Sequence, residues 1–176
     1  MDWRRYIKMR ILLYYSHPLE PASKVNKTLL DKVRDQKNIK IRHLDGLYPA
    51  LVLSKEQIAE EQRRIEKADA IFFQYPVYWY NCPASMKAFL DCVFTIEWAG
   101  GAQKPLAQKK WRVIMTCGAT LDSYMETITP YEISRPVCAM GRLFQCIVLK
   151  PFAIFGDDNL EEVLSQYINL FNEDSK

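Results

Sequence analysis

The sequence predicts a doubly wound α/β domain built on a five-stranded parallel sheet, and three observations lead there. Short apolar runs and amphipathic segments of helical period alternate about five times along 176 residues. The runs are apolar at consecutive positions, as in strands covered on both faces, and such strands need helices on each side of a parallel sheet. A chain of this length, 49% hydrophobic and 26% charged, fits one domain over residues 1–176 with a single core.

Residues 10–15 (RILLYY) form the first strand, a short continuous run stopped by Ser16, His17 and Pro18. A helix follows, capped by Ser23, with Val25, Leu29, Leu30 and Val33 at helical spacing and Asn38 closing the segment. Ile39, Ile41 and Leu44 alternate as a second strand. Ser54 caps a charged helix, KEQIAEEQRRIEKA, which leads to a third strand of Ala70, Ile71, Phe72 and Phe73, ending at Tyr75 and Pro76. Pro83 opens another helix, with Met86, Phe89, Leu90 and Val93 on one face. A fourth strand covers 111–115, residues 119–130 form a polar loop, and a helix covers 131–143. A fifth strand lies around 146–155, and a last helix runs from about 158 to 171.

Composition narrows the function classes. Lys and Arg outnumber Asp and Glu by 24 to 21, and Arg4, Arg5, Lys8 and Arg10 hold much of the surplus, so nucleic acid is not indicated. Five cysteines without a CxxC pair, beside two histidines, fit reduced thiols in a cytoplasmic protein and no metal site. The thiols of Cys82, Cys92 and Cys117 have no neighbouring motif that would activate them and are read as small hydrophobes. The apolar run at 11–15 is too short for a signal-peptide core or a membrane span. Residues 1–8 read either as an N-terminal extension or as a segment packed through Trp3 and Tyr6.

In a parallel sheet of this kind, ligands sit beyond the carboxyl ends of the strands. Three loops reach that edge. The first, SHPLEPASKVN, joins His17, Ser23 and Asn26 to a helix start, a place suited to an anion. Ser23 as a simple helix cap and His17 as a turn residue is the other reading. The second loop has Tyr78, Trp79 and Tyr80 in succession, either a wall for a flat ring system or the filling of a dimer interface or satellite core. The third, TCGA, offers small residues and backbone N–H groups to a ring edge, with Gly118 removing any obstruction. Neither GxxxxGK[ST] nor GxGxxG occurs. A single phosphate, a ring platform and a backbone-lined slot together describe a site for flavin mononucleotide (FMN), with FAD as the alternative.

These residues resemble the flavodoxin-like NAD(P)H:quinone oxidoreductases, especially the short bacterial branch that includes ancillary flavoproteins of glutathione-gated potassium efflux. The resemblance runs from about residue 10 to 170 and rests on HPxxxxSxxN at 17–26, LYP at 47–49 and DxIxxQxPxxWYxxPxxxKxxxDxVF at 69–94, with WA at 98–99, TxG at 116–118 and PFA at 151–153. It implies strand order 2-1-3-4-5. It places His17, Ser23 and Asn26, with Lys24 and Val25 between them, on the flavin phosphate or ribityl chain. It sets Pro76, Val77, Tyr78, Trp79 and Tyr80 beside the isoalloxazine, and Thr116, Cys117, Gly118 and Ala119 at its edge.

Two departures bear on catalysis. Tyr78 stands where relatives often have Gln, and GATLDSYMET replaces a glycine-rich run with a histidine. Tyr124 is then the available substitute for that imidazole, so Tyr78 and Tyr124 are the candidate catalytic residues. The resemblance implies ping-pong hydride transfer from NAD(P)H to a quinone or related acceptor, in a homodimer. It also implies a rival role as a flavin-binding regulatory subunit at the cytoplasmic face of a potassium efflux transporter in the inner membrane. A one-electron carrier fits poorly, since such carriers are strongly acidic and this chain has a net charge of +3.

Overall fold

A computed structural model of the protein describes residues 8–172, so the readings placed on Trp3 and Tyr6 lie outside the described residues. Strands β1 (Ile11–Tyr15), β2 (Ile39–His43), β3 (Ala70–Pro76) and β4 (Lys110–Thr116) form a parallel sheet in the order β2-β1-β3-β4-β5, where β5 is Ile147–Val148. The expected order is therefore the observed one. Every residue of β1 and β3 is buried, which is why their sequences are apolar without alternation.

Helices cover both faces. On one side α3 (Lys55–Lys67), α4 (Ala84–Val93) and α7 (Pro130–Leu143) pack around Phe73, Phe89 and Trp111, while α1 (Val25–Asp31) and α8 (Leu160–Asn172) enclose Leu13, Phe72 and Tyr167 on the other. The Ser54 cap is as expected, completed by Gln57 into a reciprocal capping box. Short helices α2 (Leu44–Leu47), α5 (Ile96–Ala99) and α6 (Leu121–Met125) complete the set.

Five local expectations need correction. Ser23 does not cap α1, which starts after Lys24 without any side-chain cap; a 3-10 turn over Glu20–Ala22 precedes it, and Ser23 Oγ accepts from the Tyr15 hydroxyl at 3.2 Å. The helix ends at Asp31, and Asn38 instead donates its side-chain amide to the Met9 carbonyl at 2.9 Å. Leu44 begins α2 rather than ending β2, and the expected polar loop at 119–130 contains α6, capped by Thr120. The fifth strand is broken in two. Pro151 has no N–H for the ladder, so β5 pairs Lys110 and Trp111 while β6 (Phe152–Ile154) pairs Ile114, Met115 and Thr116.

Among the described residues the fold buries the charged side chains of Glu61 and Arg112. Glu61 on α3 is fully buried and accepts from the hydroxyls of Tyr14 (2.9 Å) and Tyr48 (2.7 Å), and it pairs with Arg42 of β2. The two phenols and the guanidinium replace the water that this carboxylate loses on folding.

Candidate functional site

The carboxyl edge of the sheet draws the three loops together through backbone bonds. Ser16 N–H donates to the Gln74 carbonyl (3.0 Å), Val77 N–H to the Thr116 carbonyl (2.8 Å) and Cys117 N–H to the Ile154 carbonyl (2.7 Å). A cavity of about 290 Å³ opens between them. His17, Ser23, Lys24, Val25 and Asn26 line it from the first loop, Pro76, Val77 and Tyr78 from the second, and Thr116, Cys117 and Gly118 from the third. Trp79, Tyr80, Ala119 and Tyr124 line a neighbouring cavity of about 210 Å³, together with Ser123. The sequence-predicted set thus falls on two adjoining cavities that meet at residues 118 and 119.

The first cavity has unmet polar groups. His17 is buried and donates its backbone N–H to Asp45 at 2.8 Å, but its ring Nδ1 has no hydrogen-bond partner. Burial lowers the His17 pKa, so the ring is neutral at pH 7. Burial pushes the Tyr15 phenol up to about 12, which keeps it a donor to Ser23 and leaves the Ser23 hydroxyl proton free. The first N–H groups of α1 have no helical partner and no side-chain cap. With only seven residues in α1, the side chains of His17, Ser23 and Lys24 must carry most of any anion contact.

Asn26 is held from behind by a buried chain of hydrogen bonds. The Tyr167 hydroxyl donates to Gln74 Oε1 (2.7 Å), Gln74 Nε2 donates to Asn26 Oδ1 (2.9 Å), and Asn26 Nδ2 donates to Thr116 Oγ1 (2.7 Å). These groups have their partners inside the protein, so Asn26 orients the first loop against the third. Sequence reasoning missed Gln74, Tyr167 and Asp45 as supports of the site. Gln74 stood in the quoted motif, while no local signal marks the other two.

The aromatic loop is a two-residue turn. Tyr78 and Asn81 exchange backbone hydrogen bonds (2.9 and 3.0 Å), and the residues between them, Trp79 and Tyr80, have φ of 47° and 60°. Both sit in the left-handed region, where a turn of this kind prefers Asn-Gly and a side chain costs roughly 1–2 kcal/mol. Trp79 is 94% exposed, which rules out a satellite core within this chain, and Tyr80 is half-exposed with its ring edge toward Tyr124 at 6.1 Å. A bulky ring pair in a strained turn, offered to solvent beside a cavity, is arranged for contact.

On the third loop a Cβ at Gly118 would meet nothing within 4 Å, so the slot beside it is open. Gly156 lets that loop pack closely, because a Cβ there would lie 2.9 Å from the Gly118 carbonyl oxygen. Tyr124 is buried on α6, and its phenol lies beside Cys117 and Gly118, with its pKa raised by burial. Burial pushes the Cys117 thiol up to about 11 and raises that of Cys82 as well, so both are protonated thiols rather than nucleophiles at neutral pH.

The unpartnered His17 Nδ1, the uncapped start of α1, the open slot at Gly118 and the exposed rings fit a ligand with one anionic group and one flat ring. FMN has this form. His17, Ser23 and Lys24 would hold its phosphate, and the second and third loops its ring.

The chain belongs to the flavodoxin-like fold family, whose sequence profile matches residues 9–171. The glutathione-regulated potassium-efflux system ancillary protein KefG of Pectobacterium carotovorum is 31% identical over 150 residues, covering 79% of this chain and 80% of that protein. The structure of general stress protein 14 from Treponema denticola in complex with FMN superposes with a TM-score of 0.83 at 27% identity, covering 93% of this chain and 98% of that one. An NADPH-quinone reductase from P. pentosaceus shares the fold, with a TM-score of 0.81 at 22% identity and coverage of 93% and 98%.

Proposed function

We propose that the protein binds FMN noncovalently and transfers two electrons from NAD(P)H to a quinone or similar small acceptor. The observation behind this reading is the cavity at the carboxyl edge, with unmatched donors at one end and an open slot at the other. The FMN complex of the Treponema denticola protein supports the choice of cofactor. The bound flavin supplies the hydride chemistry between nicotinamide and acceptor. The protein then has three tasks. His17, Ser23 and Lys24 anchor the phosphate, and the Asn26 chain of hydrogen bonds fixes the loop that presents them. Tyr78, Trp79 and Tyr80 shield the ring and let the two planar partners stack in turn, which gives ping-pong turnover. Tyr124, with a pKa raised by burial, keeps its proton and donates a hydrogen bond near residues 117 and 118.

The test is chromatography of the ligand released by heat, followed by anaerobic bleaching of the bound flavin with NADH and NADPH. FMN is expected in the supernatant, and at least one nucleotide is expected to bleach the protein. Failure to retain or take up FMN overturns the reading. The similarity to KefG favours a second role, in which the flavoprotein regulates a potassium efflux transporter at the cytoplasmic face of the membrane. Retained FMN that neither nucleotide bleaches selects that role.

Tyr124→Phe removes one donor while keeping the ring that packs at 5.9 Å against Phe155. A preorganised donor to developing charge can be worth about 10²-fold in rate. Tyr124 is largely buried on α6, which limits its reach toward the ring, so about a tenfold slower bleaching is expected, with the FMN dissociation constant changed by less than about threefold. Stopped-flow absorbance measures the first and fluorescence titration the second; an unchanged bleaching rate removes Tyr124 from the mechanism.

A further inference from the structure

We infer that the amino edge of the sheet, opposite the FMN cavity, docks on a membrane surface of acidic phospholipid. A second cavity, also of about 290 Å³, lies where the end of α3 meets β1 and β2. Arg10, Lys37, Lys40, Arg64 and Lys67 line it, over a floor that includes Leu12 and Ile39. Two of these cations are already matched, Arg10 by Asp69 at 2.7 Å and Arg64 by Glu60. Lys37, Lys40 and Lys67 are exposed, and none forms an ion pair among the described residues.

Ordinary structural roles explain only part of this. A cation in the last turn of α3 suits the helix dipole, which accounts for Lys67. A lysine on an edge strand blocks unwanted pairing, which accounts for Lys40. Neither reason places Lys37 across the same cavity, nor exposed Lys8 just before β1 at that edge. The register brings these positions together, since Ile11 aligns with Ile39 on one side and with Ala70 on the other.

The chemistry favours a fluid anionic surface over an acidic protein. A protein hot spot needs an aromatic or a free arginine in a dry pocket, and here both arginines are engaged while Leu12 and Ile39 are buried in the floor. Exposed lysines over a shallow basin ask only for negative charge, and each adds to the attraction of an anionic bilayer. Such docking would leave the FMN cavity roughly 20 Å away, at the other end of β1, and does not depend on what that cavity binds.

The test is flotation of the full-length protein with phosphatidylcholine vesicles, with and without phosphatidylglycerol, at low and high salt. The parent is expected to float only with the anionic vesicles and to be released by salt. The variant Lys37→Ala/Lys40→Ala/Lys67→Ala is expected to partition on the order of a hundredfold more weakly, with an unchanged far-ultraviolet circular dichroism spectrum. Three results each overturn the proposal: equal flotation with neutral vesicles, no flotation with anionic ones, or parent-like partition of the triple variant. Loss of binding on deletion of residues 1–7, with the triple variant unaffected, overturns it too, because the edge would then be a bystander. Association seen only with an acidic protein domain selects the protein partner instead.

Discussion

Arg42→Met is expected to lower the unfolding free energy by about 3 kcal/mol, because it strands the Glu61 carboxylate in the core. Glu61 has no solvent exposure, and the Arg42 side chain has 14%. The two phenols that donate to Glu61 soften the loss without supplying a positive charge. Arg64 approaches Glu61 only to 3.7 Å and is engaged by Glu60, so it is a weak substitute. Methionine keeps much of the arginine stem's length and flexibility, which limits the packing part of the effect. Adding Glu61→Gln to the variant should recover more than about 1 kcal/mol, because an amide needs no counter-charge and its oxygen still accepts from a phenol. Urea denaturation of the flavin-free protein measures both, since a bound cofactor would add its own stabilisation. A double variant as unstable as Arg42→Met alone would assign the loss to packing instead.

This network illustrates what the sequence does and does not disclose. Ser54 and Gln57 stand three residues apart, and their spacing alone announces the start of α3. Likewise β3 is legible because all seven of its residues are buried, and Met86, Phe89, Leu90 and Val93 are the buried face of α4. Ser23 misled because a hydroxyl before an apolar helix usually caps it. Here Tyr15, eight residues earlier, claims that oxygen across the turn. The broken fifth strand follows from Pro151, a signal present in the sequence and outweighed there by the apolar residues around it.

The candidate site shows the same division. Its three loops could be found because the strands that end in them are legible, and the strand order brings those ends together. What holds the loops is less local: Tyr167 reaches Gln74 from 93 residues away, and Asp45 fixes His17 from 28. Periodicity and capping rules act within a few residues, so contacts of this separation leave no pattern for them to detect. The positive φ of Trp79 and Tyr80 is hidden for a different reason, since local preference argues against it. The paired backbone bonds between Tyr78 and Asn81 close the turn in spite of that preference.

Replacing both His17 and Ser23 with alanine is expected to weaken FMN binding on the order of 10²-fold and riboflavin binding by less than threefold. A hydrogen bond to a charged acceptor is worth about 1.5–3 kcal/mol, and water entering the vacated space would return part of the loss. The two residues are suited to such bonds for distinct reasons. His17 Nδ1 is buried without a partner, so an incoming phosphate oxygen can meet a need that the protein alone leaves open when that nitrogen bears the proton. Ser23 already accepts from Tyr15, so its own proton is the one available to donate. Losing Ser23 also leaves the Tyr15 hydroxyl without its partner, which should lower stability modestly, and the single variants separate that effect from ligand contact. Comparing FMN with riboflavin isolates the phosphate, because both ligands present the same ring to the second and third loops. An equal loss for both ligands would mean that the first loop contacts the ring or ribityl chain instead, while unchanged FMN affinity would move the phosphate away from His17 and Ser23 altogether.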